Sequence, residues 1–173
     1  MFFRWRALVC KLDSPSWVAK LSFEVKTDKD FQFEAWDLWK PTLQLLSRVI
    51  TDKKWKLNWV KIHSHLGAKR SPRHSQAWVD KDTDTMMLCH FDKDTMLHEV
   101  SHLPKDDAHS DAWALRLWRL QENYLSKKDL ALAQQEITRY RSGRRLYIKK
   151  FGVQPPKHED QVSIWVHTNP ASK

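Results

Sequence analysis

Thr95-Met96-Leu97-His98-Glu99-Val100-Ser101-His102-Leu103 carries the pattern His-Glu-x-x-His, and His109 follows seven residues further on. Residues four apart lie one above the other on a helix face, so His98 and His102 can offer two imidazole nitrogens to one metal ion. Glu99 points about 100° around the same helix, too far to ligate but within reach of a water at the metal. Two ligands and a general base from one short piece of rigid backbone is the combination that zinc-assisted hydrolysis needs.

The flanking residues decide how the motif is read. Asp92 and Asp94 are N-cap residue types, so a helix can begin just before Thr95. Leu97, Val100 and Ser101 are apolar or small, as in a helix set into a core, and Pro104 stops or turns the helix after His102. Asp106 and Asp107 offer a new cap, which puts His109 in the first turn of a second helix from Ser110 to about Leu125. A short turn between the two helices lets His109 close a three-nitrogen site. The same residues also fit a surface helix with two incidental histidines.

The run Leu97 to His102, followed by Asp107-Ala108-His109-Ser110-Asp111-Ala112-Trp113, resembles the SprT-like and WLM-type zincin metallopeptidases. It is most similar to the small metallohydrolases of actinobacteria and their phages, which carry LHELAH, a short loop and HGPxF/W. The resemblance covers about residues 85–120. It implies that His98, His102 and His109 are zinc ligands, that Glu99 is the catalytic base, and that Trp113 is the aromatic after the third histidine. Ser110 stands where those proteins have glycine, and the loop is short and contains Pro104. Glu122, twenty residues after His102, is the rival third ligand, at a spacing resembling thermolysin-type enzymes. The fold implied is α+β: a minimal zincin-like domain with a small mixed or antiparallel sheet packed on the motif helix and two or three further helices.

The chain has 173 residues, enough for one domain with a real core. We expect a single domain over residues 1–153 and a poorly ordered tail over 154–173. The 30 Lys and Arg against 21 Asp and Glu leave a net charge of +9, which favours polyanions without bearing on the fold. Two cysteines, Cys10 and Cys89, make no disulfide framework and suit a reducing cytosol. Charges at Arg4, Arg6 and Lys11 interrupt the apolar start, so no signal segment or membrane span is expected. The expected location is cytoplasmic.

Taken in order, residues 1–12 and Trp17–Val25 read as two strands, a hairpin across Ser14-Pro15. Trp36, Trp39, Leu43, Leu46 and Ile50 recur at helical spacing, and Pro41 predicts that this helix proper starts near Trp39. Lys56–Leu66 alternates as a strand. Its His63 and His65 share a face, but with no third ligand of known position they read as solvent-facing. A basic loop covers Gly67–Arg73. Gln76–Asp80 and Thr85–Phe91 read as strands about a polar turn, which lacks the glycine and glutamate of a calcium loop. In zincin folds such a strand often pairs with an extended substrate. In the second helix Ala112, Leu115, Trp118 and Leu125 are the expected core face. A third helix is expected over Lys127–Arg141, with Leu130, Ala133 or Gln134, Ile137 and Tyr140 on its apolar stripe, and a short tail strand around Val162–Val166.

The functional expectation is a zinc metallohydrolase acting on a peptide or protein substrate. Tyr124, Arg116 and His90 are candidates to stabilise the oxyanion. The alternative is a nucleic-acid-binding protein with a structural zinc, or a SprT-like protease acting on DNA-associated proteins. Arg139, Arg141, Arg144, Arg145, Lys149 and Lys150, interleaved with Tyr140, Tyr147 and Phe151, suit phosphate contacts and base stacking.

Overall fold

The computed structural model describes residues 14–28, 31–62, 77–104 and 108–156. The expected strand over 1–12, His63 and His65, the basic loop, the Asp106 and Asp107 caps and the strand around Val162–Val166 lie outside the described residues. The fold is α+β, with five α-helices and a four-stranded mixed sheet among the described residues. The chain divides into two compact units at the Phe91/Asp92 boundary.

The first unit holds the sheet. Its strands are β1 (Glu24–Thr27), β2 (Trp59–Ile62), β3 (Ala77–Asp80) and β4 (Thr85–Leu88), in the order β1-β2-β4-β3. β1 and β4 flank β2 in parallel, and β3 pairs antiparallel with β4 across the expected polar turn. Val60, Ile62, Met86 and Leu88 are fully buried, which is why the central strands are rich in apolar residues.

Residues 17–23 do not form the expected strand. Val18–Lys20 is a 3-10 turn tied by Val18 N–H to the Pro15 carbonyl (2.9 Å), and the Ser22 N–H bonds the Ser47 hydroxyl (2.9 Å). With those backbone groups satisfied locally, only Glu24 onward is free to pair. The parallel crossover from β1 to β2 runs through α1 (Ala35–Lys53). Pro41 lies well inside α1 instead of in its first turn. Starting the helix at Ala35 puts Trp36 and Trp39 on the buried face with Leu43, Leu46 and Val49. Pro41 itself is exposed, so the carbonyl it leaves unpaired can turn to water.

The second unit is helical: α2 (Lys93–Val100), α3 (Asp111–Tyr124), α4 (Lys127–Glu136) and α5 (Arg141–Phe151), with a 3-10 turn at Ile137–Arg139. Side-chain caps start three of them. Asp92 accepts from Thr95 N–H (2.7 Å), Ser110 from Trp113 N–H (3.2 Å) and Ser126 from Asp129 N–H (3.2 Å). Packed against α2, α4 and α5, α3 buries Trp113, Ala114, Leu117, Trp118, Leu120 and Gln121. Of the expected core face only Trp118 is buried within α3. Leu115 and Ala112 are exposed, because a helix covered on several sides buries a wide arc that a single stripe does not describe.

The expected third helix stops early, and a fourth, unexpected one follows. Tyr140 is extended (φ −92°, ψ 141°), which breaks the helical run, and Gly143 lets α5 turn back onto the 3-10 turn. A Cβ at Gly143 would lie 2.0 Å from the Ile137 carbonyl oxygen, so only glycine fits this approach. Among the described residues no helix is long and apolar enough to cross a membrane.

Candidate metal centre

α2 supplies His98 and Glu99, but it ends at Val100, so His102 lies just past it and not within it. The chain tightens there into three-residue turns, His102 N–H to the Glu99 carbonyl (3.0 Å) and Leu103 N–H to the Val100 carbonyl (3.1 Å). The end is capped from both sides. The Ser101 hydroxyl donates to the His98 carbonyl (2.6 Å), and Arg116 Nε on α3 donates to the Ser101 carbonyl (2.7 Å). A guanidinium at a helix C-terminus is electrostatically favourable. That bond makes Arg116 a cap of the motif helix, a different task from the oxyanion role expected of it.

His109 also differs from expectation. It precedes the cap Ser110 instead of sitting in the first turn of α3, and both Ala108 (φ 37°) and His109 (φ 51°) are left-handed. Non-glycine residues there cost on the order of 1–3 kcal/mol each. This kink turns the His109 ring toward α2.

The three imidazoles form a near-equilateral triangle, with ring centroids 5.3 Å (98–102), 5.0 Å (98–109) and 5.0 Å (102–109) apart. One ring nitrogen from each lies within 4.8 Å of the others. His98 Nε2 and His109 Nε2 are 3.1 Å apart, close to the ~3.3 Å that two ligands of a tetrahedral zinc must have at ~2.05 Å from the ion. Burial first, and then the neighbouring His102 and His109, push the His98 pKa down to about 3. His98 is therefore neutral at physiological pH and keeps a lone pair for an ion. The donor set and its spacing fit zinc.

Aromatic rings wall the triangle. Trp113, fully buried, lies 4.5 Å from His109 and 4.9 Å from His98 by ring centroid, and stacks on His102 at 5.5 Å. Tyr140 stacks on His109 (4.1 Å, 26°) and lies 5.4 Å from His98. Glu99 Oε1 is 4.0 Å from His98 Nε2, and burial raises its pKa to about 7. Burial, then the charge of Glu99, raises that of Tyr140.

Two other expected site residues, Glu122 and Tyr124, lie away from the triangle. Glu122 is not in the group that could share an ion: its Oε1 accepts from Trp118 Nε1 (2.7 Å) and Lys150 Nζ (3.0 Å). Burial pushes its pKa up, but those bonds and the Lys150 and Arg119 charges outweigh it, and the net shift is downward. Tyr124 ends α3, about 16 Å along the axis from Trp113. His90 belongs to the sheet unit. Of the six basic residues, Arg139 pairs with Glu136 (2.8 Å), Arg145 with Asp111, and Lys150 with Glu122. Arg141, Arg144 and Lys149 are exposed on α5.

Sequence reasoning missed Tyr140 and Ser142 as parts of the centre. The Ser142 hydroxyl donates to the His109 carbonyl (2.6 Å) across 33 residues of chain. No periodicity signals such a contact. Asp94 was read only as a possible cap. It accepts from Gln121 Nε2 (2.8 Å), and its pKa rises to about 7, chiefly by burial, against the lowering effect of that hydrogen bond. Comparisons with family models, curated proteins and solved structures give no match to this chain.

Proposed function

We propose that the chain is a zinc-dependent metallohydrolase, a cytoplasmic peptidase whose metal is held by His98, His102 and His109. The observation that carries this reading is the convergence of three imidazole nitrogens within 4.8 Å beside a half-buried carboxylate, Glu99. Bound there, zinc would supply Lewis acidity, polarising a carbonyl and bringing the pKa of a water toward neutrality. The protein's own share is positional and acid–base. Trp113 and Tyr140 shield the imidazoles and fix their tilt. Glu99, next to His98 in sequence and 4.0 Å from its Nε2, accepts the attacking water's proton on this reading and returns it to the leaving amine.

The test is Glu99→Gln assayed on an unfolded protein substrate, with metal content measured in parallel. Zinc retained and hydrolysis reduced at least ~100-fold is the expected pair; undiminished hydrolysis by the variant rejects the mechanism.

A second reading, nucleic-acid binding, is favoured by one observation: Arg141, Arg144, Arg145 and Lys149 are all exposed on α5. On that reading the enzyme acts on nucleic-acid-associated proteins. Binding to a DNA duplex should then fall steeply between 50 and 200 mM salt, and no binding at the lower concentration removes this reading.

A further inference from the structure

His109 is the ligand that no helix places. His98 is fixed by α2 and His102 by the turns that close it, whereas His109 sits on two consecutive left-handed residues. What holds it comes from the far end of the helical unit, within four residues of chain. The Tyr140 ring covers the His109 imidazole face to face at 4.1 Å. The Ser142 hydroxyl, buried at 3% exposure, donates to the His109 carbonyl at 2.6 Å. Gly143 permits the close approach of α5 to Ile137 that brings both of them there. One contact fixes the ring and the other the backbone, so together they constrain both the φ/ψ and the side-chain torsions of a single residue.

We propose that the Tyr140–Gly143 junction is a clamp that pre-positions the third metal ligand, with Tyr140 and Ser142 as positioning residues acting through His109. The proposal rests on the zinc reading above. It separates a ligating role from mere packing, because the clamp acts on His109 whether or not an ion is present. Partners that orient a ligating histidine are worth about 10–100-fold in metal affinity.

The experiment uses Co2+ as probe, with affinity taken from chelator competition and coordination from the visible absorption bands. The full chain, Ser142→Ala, Tyr140→Phe, Tyr140→Ala and, as reference, His109→Ala are compared. In the metal-free proteins, NMR follows the carbon-bound ring protons of His109, which Tyr140 shifts by its ring current. Tyr140→Phe should behave as wild type, because it keeps the stacked ring. Ser142→Ala and Tyr140→Ala should bind Co2+ about 10–100-fold more weakly, with altered visible bands and His109 resonances displaced. Ser142→Ala removes one oxygen, so the test stands even if Tyr140→Ala fails to fold. Wild-type protein that takes up Co2+ no better than His109→Ala overturns the zinc reading and the clamp with it. Wild-type binding matched by Ser142→Ala and Tyr140→Ala, with His109 resonances unmoved in Ser142→Ala, overturns the clamp alone.

Discussion

The two ends of α3 carry two aromatic-walled polar clusters of opposite character. At its start, His98, His102 and His109 converge against Trp113 and Tyr140. At its end, Glu122 meets Lys150 beside Trp118, with Tyr147 and Phe151 packed around them. The second cluster is self-sufficient: its carboxylate is charge-paired, doubly hydrogen-bonded and held ionised by its neighbours. In the first, Glu99 Oε1 stands 4.0 Å from His98 Nε2, and burial together with the neighbouring imidazoles penalises protonation of His98. Both ends hold a residue that sequence spacing nominated as third ligand. The difference teaches that two residues nominated for one role can meet different surroundings: His109 joins two other imidazoles, whereas Glu122 closes on a lysine.

The largest expected effect on this contrast comes from Gly143→Ala. Its new methyl meets a backbone carbonyl at 2.0 Å, so α5 must move. Thermal unfolding should show a loss of roughly 3 kcal/mol, and the histidine end should suffer more than the Glu122 end, as reported by Tyr140 and Tyr147 solvent exposure. Equal loosening at both ends would erase the distinction.

Next in size is a pH effect carried by Asp94, on the motif helix one turn before His98. The folded-state pKa of Asp94 is raised to about 7 from 3.8. Between those values the native state keeps a proton that the unfolded chain releases, so stability is greatest below pH ~4 and falls as pH rises toward 7. Glu99 adds an effect of the same sign in the metal-free protein. Asp94→Asn should flatten the metal-free Tm profile over this window by roughly 5 °C. An unchanged profile would place the Asp94 carboxyl in contact with water.

Smaller still, Ala108→Gly should stabilise the fold by up to ~1 kcal/mol, since glycine adopts φ 37° without a Cβ clash. Chemical denaturation at constant m-value measures it, and a loss of stability would contradict the left-handed geometry. The smallest effect is expected at the other cluster. The Glu122–Lys150 pair is substantially exposed, 40% and 36%, so Lys150→Ala should cost about 0.5 kcal/mol or less. A loss above ~2 kcal/mol would make it a structural anchor instead.

Much of the local structure was legible in the sequence, because it follows from short-range rules. Asp92 before a helical run and the turn between β3 and β4 each announce themselves within a few residues, whereas the cap of α3 is Ser110 and not the expected Asp106 or Asp107. The spacing brings His98 and His102 together, while His109 is preferred over Glu122 on the resemblance of its surroundings to a family pattern. Illegible were features set by distant packing: α1 running through Pro41 to keep Trp36 buried, the wide buried arc of α3, and α5 itself. α5 is strongly basic, and its charges mask the helical spacing of its few apolar residues. Tyr140 and Ser142 reach His109 only because Gly143 folds α5 back, a contact no local pattern encodes.

The most direct test is zinc content and affinity of the purified chain beside His109→Ala and Glu122→Ala, by elemental analysis and chelator competition. One zinc per chain, retained by Glu122→Ala and weakened at least ~100-fold by His109→Ala, is the predicted result. Zinc lost with Glu122 and kept without His109, or no zinc bound by the wild-type chain, would contradict the three-histidine centre.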